Sequence, residues 1–119
     1  MKNVKDQVYA ALAEGFENVT DSYPADWANL PAIQYVEEDN SVIEWTDEKE
    51  DKARVRYRID IWNGTSTSEA AMKVDEAIAK LGLKRIACAD VPDPSGLKHK
   101  QMRYEGIISM DSDLVYQNN

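Results

Sequence analysis

The chain has 119 residues, with 14 lysines and arginines against 22 acids, a net charge of −8, one histidine and one cysteine. That length fits a single domain spanning 1–119, and the acidity speaks against adhesive nucleic-acid binding, because an acidic surface repels phosphate. The lone Cys88 excludes an internal disulfide and a cysteine-cluster metal site, and no apolar run approaches the roughly 18 residues of a membrane span.

The segment Met1–Asp6 lacks the apolar stretch of a signal peptide, so the expected location is the cytoplasm of the producing cell. Residues 3–16 read as a helix: Val4, Val8, Ala11 and Leu12 form a narrow apolar stripe suited to covering a sheet, and Gly15 weakens the last turn. Residues 17–32 read as a connection restricted by Pro24 and Pro31. It carries Tyr23 and Trp27, which either pack over a core edge or meet another subunit. Two short strands are expected at Ile33–Glu37 and Val42–Trp45, separated by a turn at 38–41, with a charged loop at 46–52. From Glu37 to Asp51 eight acids stand against one lysine, which is either a solvated run or a projecting acidic loop. The EF-hand spacing and its glycine are missing.

The most regular stretch is Ala53–Trp62. Ala53, Val55, Tyr57, Ile59 and Ile61 point one way; Arg54, Arg56, Arg58, Asp60 and Trp62 point the other. This predicts a central strand. After Asn63-Gly64-Thr65, the run Ser66–Glu69 has the form of a capping box, and Ala70, Val74, Ala77, Ile78 and Leu81 fall on one helical stripe that Gly82 stops. Residues 83–89 read as a strand, 90–98 as a loop set by Pro92, Pro94 and Gly96, and His99–Met110 as a long strand that pairs antiparallel with the central one. The polar tail 111–119 is expected to fray. Two helices and four to five strands, not regularly alternating, give an α+β fold: an antiparallel or mixed sheet with both helices packed on one face.

No catalytic or metal motif emerges, so no enzyme and no cofactor is expected. His99 has no nucleophile elbow to serve and reads as an exposed residue at a strand start, and Cys88 reads as an inert buried thiol. The arginine face, Arg54, Arg56 and Arg58, has three readings: a solvated face with cross-strand ion pairs, a basic strip meeting an acidic strip of another copy, or a nucleic-acid groove, against which the net charge counts.

Several stretches together carry a resemblance: Leu30-Pro31-Ala32-Ile33-Gln34-Tyr35, Asn40-Ser41-Val42, Arg54–Trp62, Val74–Arg85, Asp93-Pro94 and His99–Gly106. The chain from about 30 to 110 resembles the tail-terminator, or tail-completion (minor tail), proteins of long-tailed, siphovirus-like bacteriophages and prophages. The resemblance implies a structural virion protein of the viral tail, made in the host cytoplasm and free of organic cofactors. Such proteins form a ring, typically hexameric, on the head-proximal end of the tail tube. The ring ends tail polymerisation and presents the head-tail joining surface, while DNA passes through the lumen without specific binding. The implied partners are further copies of the chain, the tail tube protein and a head-completion or connector protein, with no membrane. On that reading Arg54, Arg56, Arg58, Trp62 and Trp27 are candidates for the subunit interface, and Asp47, Glu48, Glu50 and Asp51 for an acidic loop facing the lumen or an adjacent ring. A head-completion or connector ring protein and a monomeric acidic DNA-mimic inhibitor are the alternatives.

Overall fold

The computed structural model describes residues 1–109 and, as backbone, the two residues Val115–Tyr116. In chain order the elements are α1 (Lys5–Ala13), β1 (Asn18–Thr20), β2 (Ala32–Thr46), β3 (Lys49–Asn63), α2 (Ser68–Ala79), β4 (Lys84–Val91), β5 (Lys98–Ser109) and β6 (Val115–Tyr116). The sheet runs β1-β2-β3-β5-β4, and β6 pairs with the end of β5. Only β1 and β2 are parallel; every other pair is antiparallel. This is the expected α+β fold, a mixed sheet with both helices on one face.

The core follows from the alternation in β3. Ala53, Val55, Tyr57, Ile59 and Ile61 are fully buried against Val8 and Leu12 of α1 and Ala70, Val74 and Ile78 of α2. Met102, Tyr104 and Ile108 join them from β5, opposite Ile59, Tyr57 and Ala53. Truncating one of these buried aliphatic side chains to alanine costs roughly 2–5 kcal/mol, because the site collapses only partly. The two buried phenols are not left unpaired. Tyr57 donates to Glu37 at 2.7 Å and Tyr104 to Asp75 at 2.8 Å. Burial first, and the bonded carboxylate second, hold both hydroxyls protonated well above the usual tyrosine range.

Several expectations need correction. The two short strands and the turn at 38–41 are one 15-residue strand, β2, because the polar run Glu37–Ser41 is absorbed by bulges rather than by a turn. The loop at 46–52 shrinks to a two-residue turn. Asp47 and Glu48 both adopt positive φ, 53° and 64°, as a tight hairpin with the sheet's own twist requires, and Lys49–Lys52 already belong to β3. Both helices are shorter than their apolar stripes, and the assigned connection contains β1. The capping box is not made: Thr67 starts α2 without a side-chain cap, and Ser66 Oγ instead accepts from the backbone N–H of Ser68. Cys88 is exposed, in a strand where only Val91 is even partly buried; α2 meets β4 at its start, through Asp75 and Arg85. Gly82 does end the second helical region, at φ 87°. The expected frayed tail lies outside the described residues apart from Val115–Tyr116.

Candidate functional site

The face of the sheet away from the helices is charged. Its geometry comes from the β3–β5 register, which sets Trp62 opposite His99, Asp60 opposite Gln101, Arg58 opposite Arg103 and Arg56 opposite Glu105. Direct neighbours in an antiparallel pair share a face. At one end, Trp62 and His99 stack with ring centroids 4.3 Å apart and planes 20° from parallel. Trp27 and Tyr23 from the β1–β2 connection close over Trp62 edge-on, at 5.5 and 5.7 Å. Trp62 is thereby only 3% exposed.

From this cap a chain of alternating charges runs down the face. Asp93 accepts from Trp62 Nε1 at 3.2 Å and lies 3.7 Å from His99 Nδ1. Hydrogen bonds from Ser95 first, and from Trp62 second, hold the Asp93 carboxyl below the usual aspartate range. His99 Nε2 lies 2.8 Å from Asp60, whose other oxygen accepts from Arg58 Nε at 2.7 Å. Asp60 is 2% exposed, so these two contacts satisfy a carboxylate that burial would otherwise penalise heavily. Arg58 also approaches Glu38 at 3.7 Å, and Glu38 accepts from Arg103 at 3.0 Å. Glu38 reaches both arginines because it is the extra residue of the β2 bulge, between the pairs Glu37↔Tyr57 and Asp39↔Arg56. The extra residue shifts the alternation by one, so positions 33, 35 and 37 before it and 40 and 42 after it all lie opposite the buried face of β3.

Further along, Arg54 and Arg56 share one carboxylate, Glu105, at 3.4 and 3.7 Å. Both guanidinium side chains are about half exposed, and Arg56 Nε is buried without a hydrogen-bond partner. The arginine strip therefore divides. Arg58 is built into the fold, whereas Arg54 and Arg56 are two cations held by one anion. Beyond them the β2–β3 hairpin projects: every residue from 43 to 49 is exposed, including Ile43 and Trp45 among Glu44, Asp47 and Glu48. The molecule is 52 Å long and only 23 × 22 Å across, and a 15-residue strand spans about 50 Å, so the ribbon runs its whole length.

Of the residues singled out in the sequence, Arg54, Arg56 and Arg58 share this face as alternation requires. Asp47 and Glu48 are exposed at the hairpin tip. Glu50 lies against the Met1 ammonium at 3.1 Å, and Asp51 accepts from Thr46. Trp62 and Trp27 pack on each other within the chain, so Trp62 offers almost no surface to a neighbour. Sequence reasoning missed His99, which is not the exposed residue expected: its ring is stacked on Trp62 and its nitrogens face Asp60 and Asp93. Nε2 is bonded to Asp60, and Nδ1 faces Asp93 at 3.7 Å. Asp60, Glu38 and Asp93 were missed as well. The available signal was an aspartate and a tryptophan at adjacent same-face positions of a strand expected to be central.

Fold and face together define a small α+β domain with one sheet face given over to paired charges and a two-stranded arm extending beyond its core. Compared with models of protein families and with curated proteins, the sequence matches none.

Proposed function

We propose that this chain is a structural ring subunit that caps the head-proximal end of a phage tail tube, ends its polymerisation and joins the tail to the head. The observation that carries the reading is the projecting arm. It holds a tryptophan 63% exposed and an isoleucine 42% exposed outside the core, at a hairpin tip that nothing among the described residues covers. An arm of that kind fits a partner surface. The half-exposed Arg54 and Arg56, two cations sharing Glu105, supply a face of opposite sign to the arm's Glu44, Asp47 and Glu48. Arm on one side and arginine pair on the other make a heterologous contact, which closes into a ring when the rotation permits. The acidity of the remaining surface keeps DNA from adhering as it passes. The DNA-mimic alternative draws less support, because Glu38, Asp60 and Glu105 are already neutralised by arginines of the same chain.

The test is assembly. Sedimentation and negative-stain microscopy of the purified protein, alone and mixed with tail tubes, should show rings or capped tube ends. Charge reversal at Arg54 and Arg56 together should abolish them while circular dichroism stays unchanged; Arg58 is spared because it holds Asp60. A protein that stays monomeric alone and leaves tube ends bare removes the proposal.

A further inference from the structure

The outer edge of β4 is a second feature that none of the described residues covers. Seven of its eight residues are exposed, and among the described residues none pairs with its free side. Its centre, Ile86-Ala87-Cys88-Ala89, has neither charge nor proline to repel another strand. We infer that β4 pairs with β4 of a second copy, antiparallel and about a two-fold axis through Cys88. This goes beyond the ring reading and does not depend on it.

The register follows from side-chain direction and charge. Pairing with β5 places Arg85, Cys88 and Asp90 on the helix side of the sheet, opposite Tyr104, Met102 and Lys100. Lys84, Ala87, Ala89 and Val91 take the other side, and Ile86 is the residue that β5 skips. A two-fold centred on Cys88 sets Cys88 against its own copy, Ala87 against Ala89, and Arg85 against Asp90, with Ile86 skipped again. Every opposed pair then shares a face, as an antiparallel ladder requires. Both ends bring opposite charges together. Arg85 already holds Asp75 at 3.3 Å and Asp90 already holds Lys100 at 3.0 Å. The paired copies extend these into two four-membered rows of alternating sign, Asp75–Arg85–Asp90–Lys100, each crossing the axis. Small alanines at the centre let the strands approach without a clash.

The other sheet edge fits β4 less well. Beyond the three residues that β1 covers, β2 offers Tyr35–Thr46, with Glu37, Glu38, Asp39 and Glu44. Following the sheet order, β4 runs antiparallel to β2. That edge is also broken by register shifts at Glu37/Asp39, Val42/Glu44 and Glu44/Trp45, and bulges turn an edge away from regular pairing.

Sedimentation of the full chain should show a concentration-dependent dimer. Adding copper–phenanthroline as oxidant should join Cys88 to Cys88, since the Cα separation across an antiparallel pair, about 4.5–5.5 Å, lies within disulfide reach. Arg85→Glu alone and Asp90→Lys alone each set like charges across the axis and should weaken association by about tenfold or more. Both side chains are exposed, at 50% and 80%, so neither change threatens the fold. Mixing the two variants should restore dimers, because a heterodimer regains both opposite-charge pairs, and this rescue is specific to the two-fold register. A monomer at all concentrations overturns the inference. So do rings without the Cys88 cross-link, which leave the ring reading standing, and a dimer that mixing fails to rescue.

Discussion

The two ends of the β2–β3 ribbon are built from the same kind of alternating strand, yet they are opposites in surroundings. Around Asp60–Trp62 both faces are buried: helices cover one, and Tyr23, Trp27 and the His99–Asp93 group cover the other. From residue 43 to 49 neither face is covered. Alternation thus specifies a strand and which residues share a side; what lies on each side is decided by elements far away in the chain. At the closed end those are the β1–β2 connection and β5, thirty or more residues distant from Trp62. The open end has no such cover within the described residues, and there the ribbon's exposed apolar groups are available to something else.

Three substitutions break or sharpen the contrast. The largest effect belongs to Asp60→Ala at the closed end. Removing a carboxylate that is 2% exposed leaves His99 and Arg58 without their shared partner, and the expected loss is about 3 kcal/mol in urea unfolding. A loss below about 1 kcal/mol, the range of a surface pair, makes the closed end no different in kind from the arm. The next effect has the opposite sign and lies at the open end. Glu48 holds φ 64° without being a glycine, so Glu48→Gly should stabilise the protein by up to about 1 kcal/mol, unless the freedom it adds to the unfolded chain offsets the relief. Read by thermal melting, destabilisation there shows that the turn is not strained.

The smallest effect is a pH dependence at the cap. Asp93 has its folded pKa lowered, so it contributes stability that is fully present above the unfolded value, about 4. That contribution is lost as pH falls from about 4 through the lower folded value. Asp93→Asn should flatten the acid limb of the stability profile below about pH 4 and leave the arm's assembly unaffected. An unchanged acid limb shows that the bonds from Ser95 and Trp62 do not couple to folding.

Much of the fold was legible. The period of two in Ala53–Trp62 fixes the buried face, and the i, i+4, i+8 spacing of Ala70, Val74 and Ile78 fixes the buried stripe of α2. The pairing of β3 with β5 followed from their matched lengths. The length of β2 was hidden because Glu37–Ser41 has the composition of a turn, while bulges let a strand carry it. The site was legible only in outline. Alternation placed Arg54, Arg56 and Arg58 together, but their different roles depend on partners. Asp60 and the bulged Glu38 claim Arg58; Glu105 serves the other two. Nothing local announces that His99 lies under Trp62, since that contact exists only once the β3–β5 register is known. Cys88 was misjudged for a related reason: an apolar-looking strand implies burial only where another element packs over it, and seven of the eight β4 residues are exposed.

The placement of the indoles gives this protein two internal optical probes. Trp62 is buried against His99, whereas Trp45 is 63% exposed at the far tip. With Trp27 replaced by phenylalanine, a change in the long-wavelength emission alone reports contact at the tip, and a change in the short-wavelength emission reports loss of the body's packing. Docking and unfolding can then be followed separately in one unlabelled sample.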